Sequence, residues 1–518
     1  MAAHKILIVG GGTAGWLTAC YLAARLGCRG QSGVAIQVVE SPDIAVVGVG
    51  EGTFPTIRKT LSTIGINEAD LVRRCGATFK QGAMFSHWGR PPGLGQEHRY
   101  LHGFQTTDRA DGLDLLPYWL LGLAGGKSWD EAATPQRRAA EADRAPKLYS
   151  HPDFVGPLNY AYHFDAVAFG RLLRERAVEL GVVHSIDTVV KVDVGDSGAI
   201  TAVHTQMLGP LSADLYVDCT GFRAQLIGEA LGSPFRSCRN TLFCDRALAA
   251  QVPYAERDAA IRPYTLATAQ EAGWVWDIGL DTRRGVGYVY SANHIGDDEA
   301  ETALRRYLGA DGEKCDVRKL TFEAGYRETS WQKNCVAIGL SSGFFEPLEA
   351  TGIVLIEAAA SLVASLFPWS RDYEVSARQY NRLMTRRYER TRDFIKLHYC
   401  LSSRRDSAFW RDNVDEARMP DSLVELLERW KFRPPSELDI DQTIDFFPEA
   451  SWQFVLYGMD WVTDLRPKAG VFRYADDARA AFAEVSRQGA FAVANLPSNR
   501  QLVEAAKSKS FGPRSAAA

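Results

Sequence analysis

Three features of this 518-residue chain predict an α/β fold, a Rossmann-type dinucleotide-binding module joined to a helix-rich second part. The run Ile6-Leu7-Ile8-Val9 reads as a buried parallel strand. It leads directly into Gly10-Gly11-Gly12-Thr13-Ala14-Gly15 and the helix-like Trp16-Leu17-Thr18-Ala19-Cys20-Tyr21-Leu22. A second strand-like run, Val34-Ala35-Ile36-Gln37-Val38-Val39, stops at Glu40. Residues 380–399 have the amphipathic pattern of a long helix, within a C-terminal part of helical character.

Strand, glycine turn and helix follow one another in the order that dinucleotide binding requires. Gly10 permits the tight turn, Gly12 lets the backbone approach a pyrophosphate, and Gly15 lets helix and strand pack closely. With Gly11, Thr13 and Ala14 they form the cradle, and the helix N-terminus favours the anion. Glu40 is placed to accept from the ribose hydroxyls of an adenosine, and its charge favours a free 2'-hydroxyl; Ser41 follows it. Glu40 comes later than the usual spacing of about 20 residues, which an insertion at residues 27–33 accounts for.

Two later segments favour FAD over NAD. Tyr216-Val217-Asp218-Cys219-Thr220-Gly221-Phe222 looks like the strand and turn that close over the adenosine half in flavoproteins. Asn334-Cys335-Val336-Ala337-Ile338-Gly339-Leu340 resembles the late strand leading to flavin and ribityl contacts. Gly48-Val49-Gly50-Glu51-Gly52-Thr53 is glycine-rich without a following helix of the needed kind, so it reads as a loop draped over the flavin, with Gly48 and Gly50 as contacts. The fold class is therefore flavoprotein monooxygenase-like. With no second glycine fingerprint, reduced flavin is expected from a separate NAD(P)H flavin reductase.

The module is expected to be discontinuous, residues 1–90 and 155–370. Residues 91–154 and 371–506 form a helical substrate-binding part and 507–518 a flexible tail. Pro91-Pro92-Gly93-Leu94-Gly95 and a polar stretch at residues 137–144 read as loops, which suit a lid. Arg433-Pro434-Pro435-Ser436 marks a break before the last segments, and there is no internal repeat.

The formal charge of −4 is small for this length and no long run of one sign occurs, so neither nucleic acid nor an anionic membrane is the expected partner. Nine cysteines form no Cys-x-x-Cys pair and no His/Cys cluster has metal-ligand spacing, which predicts reduced cytosolic thiols and no metal site. The N-terminus leaves no room for a signal peptide, and no apolar run reaches the roughly 18 to 20 residues that span a bilayer. A cytoplasmic protein is expected. The oligomeric state stays open, a homodimer included.

Trp274 and Trp276 in Gly273-Trp274-Val275-Trp276-Asp277-Ile278 share one face of a strand and point to a flavin enzyme acting on an aromatic. The stretch resembles the Trp-x-Trp-x-Ile-Pro signature of flavin-dependent halogenases, the tryptophan halogenase family, with Gly279 at the proline position. The residues from Gly10 to Trp16, Glu40-Ser41, the loop at residues 48–53 with Pro55, Phe79-Lys80 with Trp88, and Glu346-Pro347-Leu348-Glu349-Ala350-Thr351-Gly352-Ile353 resemble that family's segments in its order. The resemblance covers roughly the first 400 residues.

The resemblance implies that reduced FAD and O2 oxidise a bound chloride or bromide, and that hypohalous acid travels through a tunnel to a lysine. Lys80 matches that lysine; an ammonium in a closed tunnel can hydrogen-bond hypohalous acid or form a haloamine. Glu349 matches the glutamate that orients the halogenating species and receives the ring proton, while Glu346, beside Pro347, suggests a structural role. The backbone N–H groups of Thr351 and Gly352 would form the halide nest at the start of a helix over residues 353–366, with Leu340 and Ile353 contacting the cofactor. Ala350 stands where many relatives have serine.

His102 and Phe104 look like the family's His-x-Phe pair that sandwiches an indole, with Trp452 as a third ring. Tryptophan-specific relatives grip the amino-acid end with a tyrosine pair and an acid, whereas Asp445-Phe446-Phe447-Pro448-Glu449 offers phenylalanines. The implied activity is FADH2- and O2-dependent halogenation of an indole or tryptophan-like aromatic. A flavin aromatic hydroxylase of the same fold is the alternative, since it would share the flavin motifs but needs no relay lysine; a non-catalytic redox sensor is a further one.

Overall fold

The first strand, His4–Val9, carries four consecutive buried apolar residues, as an interior parallel strand must. The computed structural model describes residues 4–28, 33–43, 50–93, 97–106, 112–508 and 511–512, and it divides into two compact units. The first unit comprises Met1–Gly76, Phe164–Arg239 and Phe322–Glu389; the second comprises Ala77–His163, Asn240–Thr321 and Arg390–Ala518.

In the first unit, His4–Val9 lies parallel between Val34–Glu40 and Leu215–Asp218. The six-stranded sheet continues through Val183–Ile186 on one side and Cys335–Ala337 with Trp331–Gln332 on the other. Helices Ala166–Glu179 and Thr351–Ser365 pack on helix Thr13–Leu26. Leu7, Val9 and Tyr216 join Val203, Leu226 and Ile227 in a core shared by the sheet, an antiparallel three-stranded meander and the π-helical turn Gln225–Ala230. The buried Asp218 carboxylate accepts from the Leu226 and Ile227 N–H groups, 2.8 Å each, and so caps that turn.

The second unit is built on a seven-stranded sheet in the order Val317–Thr321, Arg246–Pro253, Arg283–Tyr290, Gly273–Gly279, Thr265–Ala269, Gly82–Ser86, Arg99–Gly103. Val275, Val286 and Tyr288 face helix Asp297–Leu308, so the alternation of strand Gly273–Gly279 turns Trp274 and Trp276 to the opposite face. Both tryptophans are buried, with ring centroids 6.4 Å apart, and Trp88 stands 6.5 Å from Trp274. Trp276 pairs with Gly287, and a Cβ on Gly287 would overlap the indole, so the ring occupies the space that the glycine leaves.

Gly279 has its own local reason. A Cβ there would stand 2.8 Å from Tyr254 Oη and 3.0 Å from Ile261 Cγ2, so those side chains fill the space that a larger residue needs. Its carbonyl accepts from Thr78 Oγ1 at 2.6 Å, which ties the tryptophan strand to the short strand Thr78–Lys80. The long helix runs over Glu374–Cys400, beginning ahead of the predicted 380–399. Within residues 91–154, strand Arg99–Gly103 accompanies short helices such as Trp129–Ala133.

Replacing Gly287 by valine should overpack this sheet face and lower stability by about 1–3 kcal/mol, with a red or blue shift of tryptophan emission, whereas Gly170→Ala, at an open helical position, should stabilise slightly or do nothing. Urea melts followed by fluorescence check both.

Candidate active site

The glycine turn separates two jobs. A Cβ on Gly10 would overlap the Cys219 carbonyl, and one on Gly15 would overlap the Gly10 carbonyl, so both glycines are required by packing. A Cβ on Gly11 would overlap the Glu40 carboxylate, which therefore lies directly against the turn. A Cβ on Gly12 would meet nothing within 4 Å. Gly12 is also the N-cap of helix Thr13–Leu26 and supplies no side-chain hydrogen bond, so the first helical N–H groups adjoin open ground. Uncapped donors beside a space that only glycine leaves open fit the pyrophosphate of FAD.

Around that cradle, His184 Nε2 lies 2.9 Å from Glu40 Oε2, and the Trp16 indole meets the His184 ring edge-on at 4.9 Å. Ser41 Oγ is 2.8 Å from Thr188 Oγ1. A Cβ on Gly339 would be 2.7 Å from Ala14 Cβ, which sets Leu340, an apolar side chain 40% exposed, next to the turn. Ile353 is buried in helix Thr351–Ser365. Gly50 is buried at the start of strand Gly50–Gly52, whereas Gly48 lies outside the described residues.

The second helix start in this unit has similar chemistry. The 3₁₀ turn Pro347–Glu349 holds Glu349 buried, with Glu346 fully buried just ahead of it. Ala350 then adopts φ 55° and ψ 38°, a left-handed conformation that costs a residue with a Cβ of order 1 kcal/mol or more. Helix Thr351–Ser365 starts immediately after it, two residues earlier than predicted, and has no side-chain cap. Thr351 is 1% exposed and its Oγ1 has no hydrogen-bond partner among the described residues, while a Cβ on Gly352 would meet nothing within 4 Å. Buried orphan donors beside free space suit a small anion.

Two turns further along that helix, sequence reasoning passes over Glu357. Its carboxylate accepts from Thr60 Oγ1 at 2.5 Å and Thr56 Oγ1 at 3.1 Å, and burial pushes its pKa up to about 7 against the weaker pull of these hydroxyls. Desolvation likewise pushes Glu51 up to about 7. A single acid in the apolar run Thr351–Ser365 is the signal that would have found Glu357.

In the second unit, Lys80 ends strand Thr78–Lys80, antiparallel to Ala161–Asp165. Lys80 is 3% exposed and its Nζ lies 5.3 Å from the centroid of the Phe104 ring. The Phe104 N–H donates to the Gln81 carbonyl at 3.0 Å, so the chain itself fixes this pair. Phe79, on the opposite face, packs against Tyr160, Tyr162 and Phe511, and its carbonyl accepts from Asn499 Nδ2 at 3.1 Å. Thr78 pairs with His163 and Lys80 with Ala161, so these four side chains share one face. His163 is another residue that sequence reasoning passes over.

His102 is buried against Phe394, Phe447 and Phe454, at 5.6, 6.3 and 6.4 Å. Trp452 meets Phe394 at 4.9 Å and Trp430 at 5.5 Å, with the Arg390 guanidinium 4.8 Å from its ring. The structure thus sets Phe104 beside Lys80, and joins His102 to Trp452 through Phe394. Phe447 stacks on Phe394 at 3.8 Å, and Arg390 Nε binds both Asp445 carboxylate oxygens, at 3.1 and 3.2 Å. Among the described residues no cluster of His, Cys, Asp and Glu is set to hold a metal, and no helix is long and apolar enough to cross a membrane.

Comparison with known proteins gives a consistent set. The sequence model of the family described as tryptophan halogenase matches residues 5–471. Tryptophan 6-halogenase SttH of Streptomyces toxytricini is 36% identical over 518 aligned residues, covering 95% of this chain and 96% of that protein. A solved tryptophan halogenase from Shewanella frigidimarina has a TM-score of 0.95 at 40% identity, covering 99% of each chain. Tar14, a tryptophan C-6 flavin-dependent halogenase from taromycin biosynthesis, has a TM-score of 0.91 at 35% identity, covering 98% of this chain and 100% of that one.

Gly12→Val should leave the melting temperature unchanged and weaken FAD binding by about tenfold or more, because its Cβ meets no protein atom within 4 Å and its methyl groups would enter the cradle; fluorescence titration with FAD checks this. For Glu357, a folded-state pKa raised from the ordinary carboxyl value of 4.5 to about 7 means a contribution fully present below 4.5 and lost as pH rises through about 7. Between pH 5 and 8 the wild type should therefore lose up to roughly 3 kcal/mol relative to Glu357→Gln in urea melts.

Proposed function

The chain belongs to the tryptophan halogenase family, and from that premise we propose how its residues divide the halogenation of an indole-type ring. The protein is a flavin-dependent halogenase that uses FADH2, O2 and chloride or bromide. Bound reduced FAD supplies, with O2, the oxidation that turns halide into hypohalous acid.

The N–H groups at the start of helix Thr13–Leu26 hold the pyrophosphate across Gly12, and Glu40 takes the adenosine ribose. The orphan N–H groups of Thr351 and Gly352 hold halide, and among the described residues no side chain caps this helix start. Leu340 and Ile353 give the cofactor apolar contact.

Lys80 receives the hypohalous acid. Its ammonium donates a hydrogen bond to the oxygen, which makes the halogen more electrophilic, and Phe104 supplies an aromatic wall that tolerates the cation. As the carbon–halogen bond forms, the oxygen–halogen bond breaks and its electron pair stays on oxygen. Lys80 gives that oxygen a proton, so water leaves. Glu349 takes the proton from the ring carbon and restores aromaticity. A halogen and a hydrogen are exchanged and one water is formed.

The observation that carries this reading is the 3% exposed Lys80 held against Phe104, because a hydroxylase passes oxygen to its substrate directly and has no use for a buried ammonium there. His102, Phe104 and Trp452 are the proposed ring-recognition residues. The Asp445 carboxylate is engaged by Arg390 and Phe447 is stacked on Phe394, which supports recognition through the aromatic ring more than through a charged amino-acid end. A separate NAD(P)H flavin reductase in the cytoplasm is the proposed source of FADH2, since one glycine fingerprint serves the chain.

The test supplies FAD, a flavin reductase, NADH, O2 and bromide with indole, tryptophan and small 3-substituted indoles, and reads products by mass spectrometry. A monobrominated product is expected from the wild type. In Lys80→Ala it should fall by on the order of a hundredfold or more while FAD affinity is kept. An oxygenated product, or bromination by Lys80→Ala at the wild-type rate, would contradict the proposal.

A further inference from the structure

On the face of the ladder that carries Lys80, His163 is fully buried, 0% exposed, at the rung next to the lysine. The hydroxyl of Thr78, its direct neighbour across the ladder, is committed to the Gly279 carbonyl at 2.6 Å. One imidazole nitrogen is anchored, with Nε2 2.9 Å from Thr265 Oγ1. The other, Nδ1, has no hydrogen-bond partner among the described residues. A buried polar atom left in that condition costs roughly 1–3 kcal/mol, a price that a merely structural residue in the interior of a strand need not incur.

The chemistry of that nitrogen narrows what satisfies it. Burial first, and then the positive charge of Lys80, hold the imidazole well below its usual pKa, so it stays neutral. In the tautomer whose Nε2–H donates to Thr265, Nδ1 presents a lone pair and requires a donor. Halide ions have no proton to donate. A small neutral hydroxylic molecule does, and hypohalous acid is one that the reaction itself generates.

We propose that His163 is a second catalytic residue of the Lys80 site, accepting at Nδ1 the O–H of hypohalous acid while Lys80 donates to the same oxygen. The proposal rests on the assignment of Lys80 made above. Two contacts on one oxygen fix the direction of the oxygen–halogen bond, where a single lysine contact lets it swing. During transfer His163 keeps the original O–H, the electron pair of the oxygen–halogen bond goes to oxygen, and the second proton of the departing water comes from Lys80. The imidazole ends the step neutral, as it began.

The experiment uses holoenzyme with a flavin reductase, NADH, O2, bromide and indole, in the presence of a small thioether that traps escaping hypobromous acid. His163→Leu removes both ring nitrogens at similar volume, and His163→Gln restores an amide acceptor. The expected result is that the share of oxidised bromide found on the ring falls about tenfold in the leucine variant, with the difference recovered in the trap, and recovers in part with glutamine. FAD binding, read by fluorescence without turnover, should match the wild type in both. A ring share within twofold of the wild type in His163→Leu overturns the proposal, as does a joint loss of FAD affinity and thermal stability in both variants, which marks a purely structural histidine. Normal bromination by Lys80→Ala together with the predicted loss in His163→Leu refutes the lysine assignment and upholds that of His163.

Discussion

A helix that begins without a side-chain cap, and without a preceding turn whose carbonyls take its first N–H groups, leaves those donors open to a ligand. In the first unit helix Thr13–Leu26 after Gly12 and helix Thr351–Ser365 after Ala350 begin in this way, whereas the first N–H groups of helix Ile57–Ile64 donate to the carbonyls of Phe54, Pro55 and Thr56. Around them the sequence gives up what would otherwise stabilise it. Gly12 offers neither a cap nor a side chain, and Ala350 accepts a left-handed backbone that glycine would adopt more easily. Both choices make sense if an anion completes each terminus, a pyrophosphate at the first and a halide at the second.

The second unit depends on a different expense, the burial of a cation. Lys80 sits on a strand of three residues, too short to hold its place by pairing alone. Its neighbours compensate. Thr78 is tied to Gly279, the carbonyl of Phe79 is tied to Asn499, and the Phe79 ring is enclosed by Tyr160, Tyr162 and Phe511. Such bracing suits the role proposed for Lys80, in which its ammonium must be placed to a fraction of an ångström. The tryptophan strand takes part in this bracing. Strand Gly273–Gly279 ends in the carbonyl that anchors Thr78, so the rigid sheet face under Trp274 and Trp276 supports the lysine strand from one side.

What could be read in the sequence was local. The glycine turn, its flanking strand and helix, and Glu40 lie within a few dozen residues, and their pattern states their geometry. The helix that follows Glu349 was legible for the same reason, but not its start at Thr351, since nothing in an alanine announces the left-handed residue before it. Contacts between distant parts were not legible. Glu357 finds Thr60 across 297 residues and His163 finds Thr265 across 102, so each looks in sequence like an ordinary buried polar residue. The shared ring contacts of His102 and Trp452 depend on Phe394, far from both in the chain, and strand Arg99–Gly103 is defined by its partner Gly82–Ser86 more than by its own composition.

Anomalous X-ray diffraction from crystals grown with FAD and bromide locates the anion by its own scattering. An ordered bromide is expected within hydrogen-bonding distance of the Thr351 and Gly352 N–H groups. Ordered bromide only elsewhere, with that helix start empty at saturating bromide, would contradict the proposed halide site.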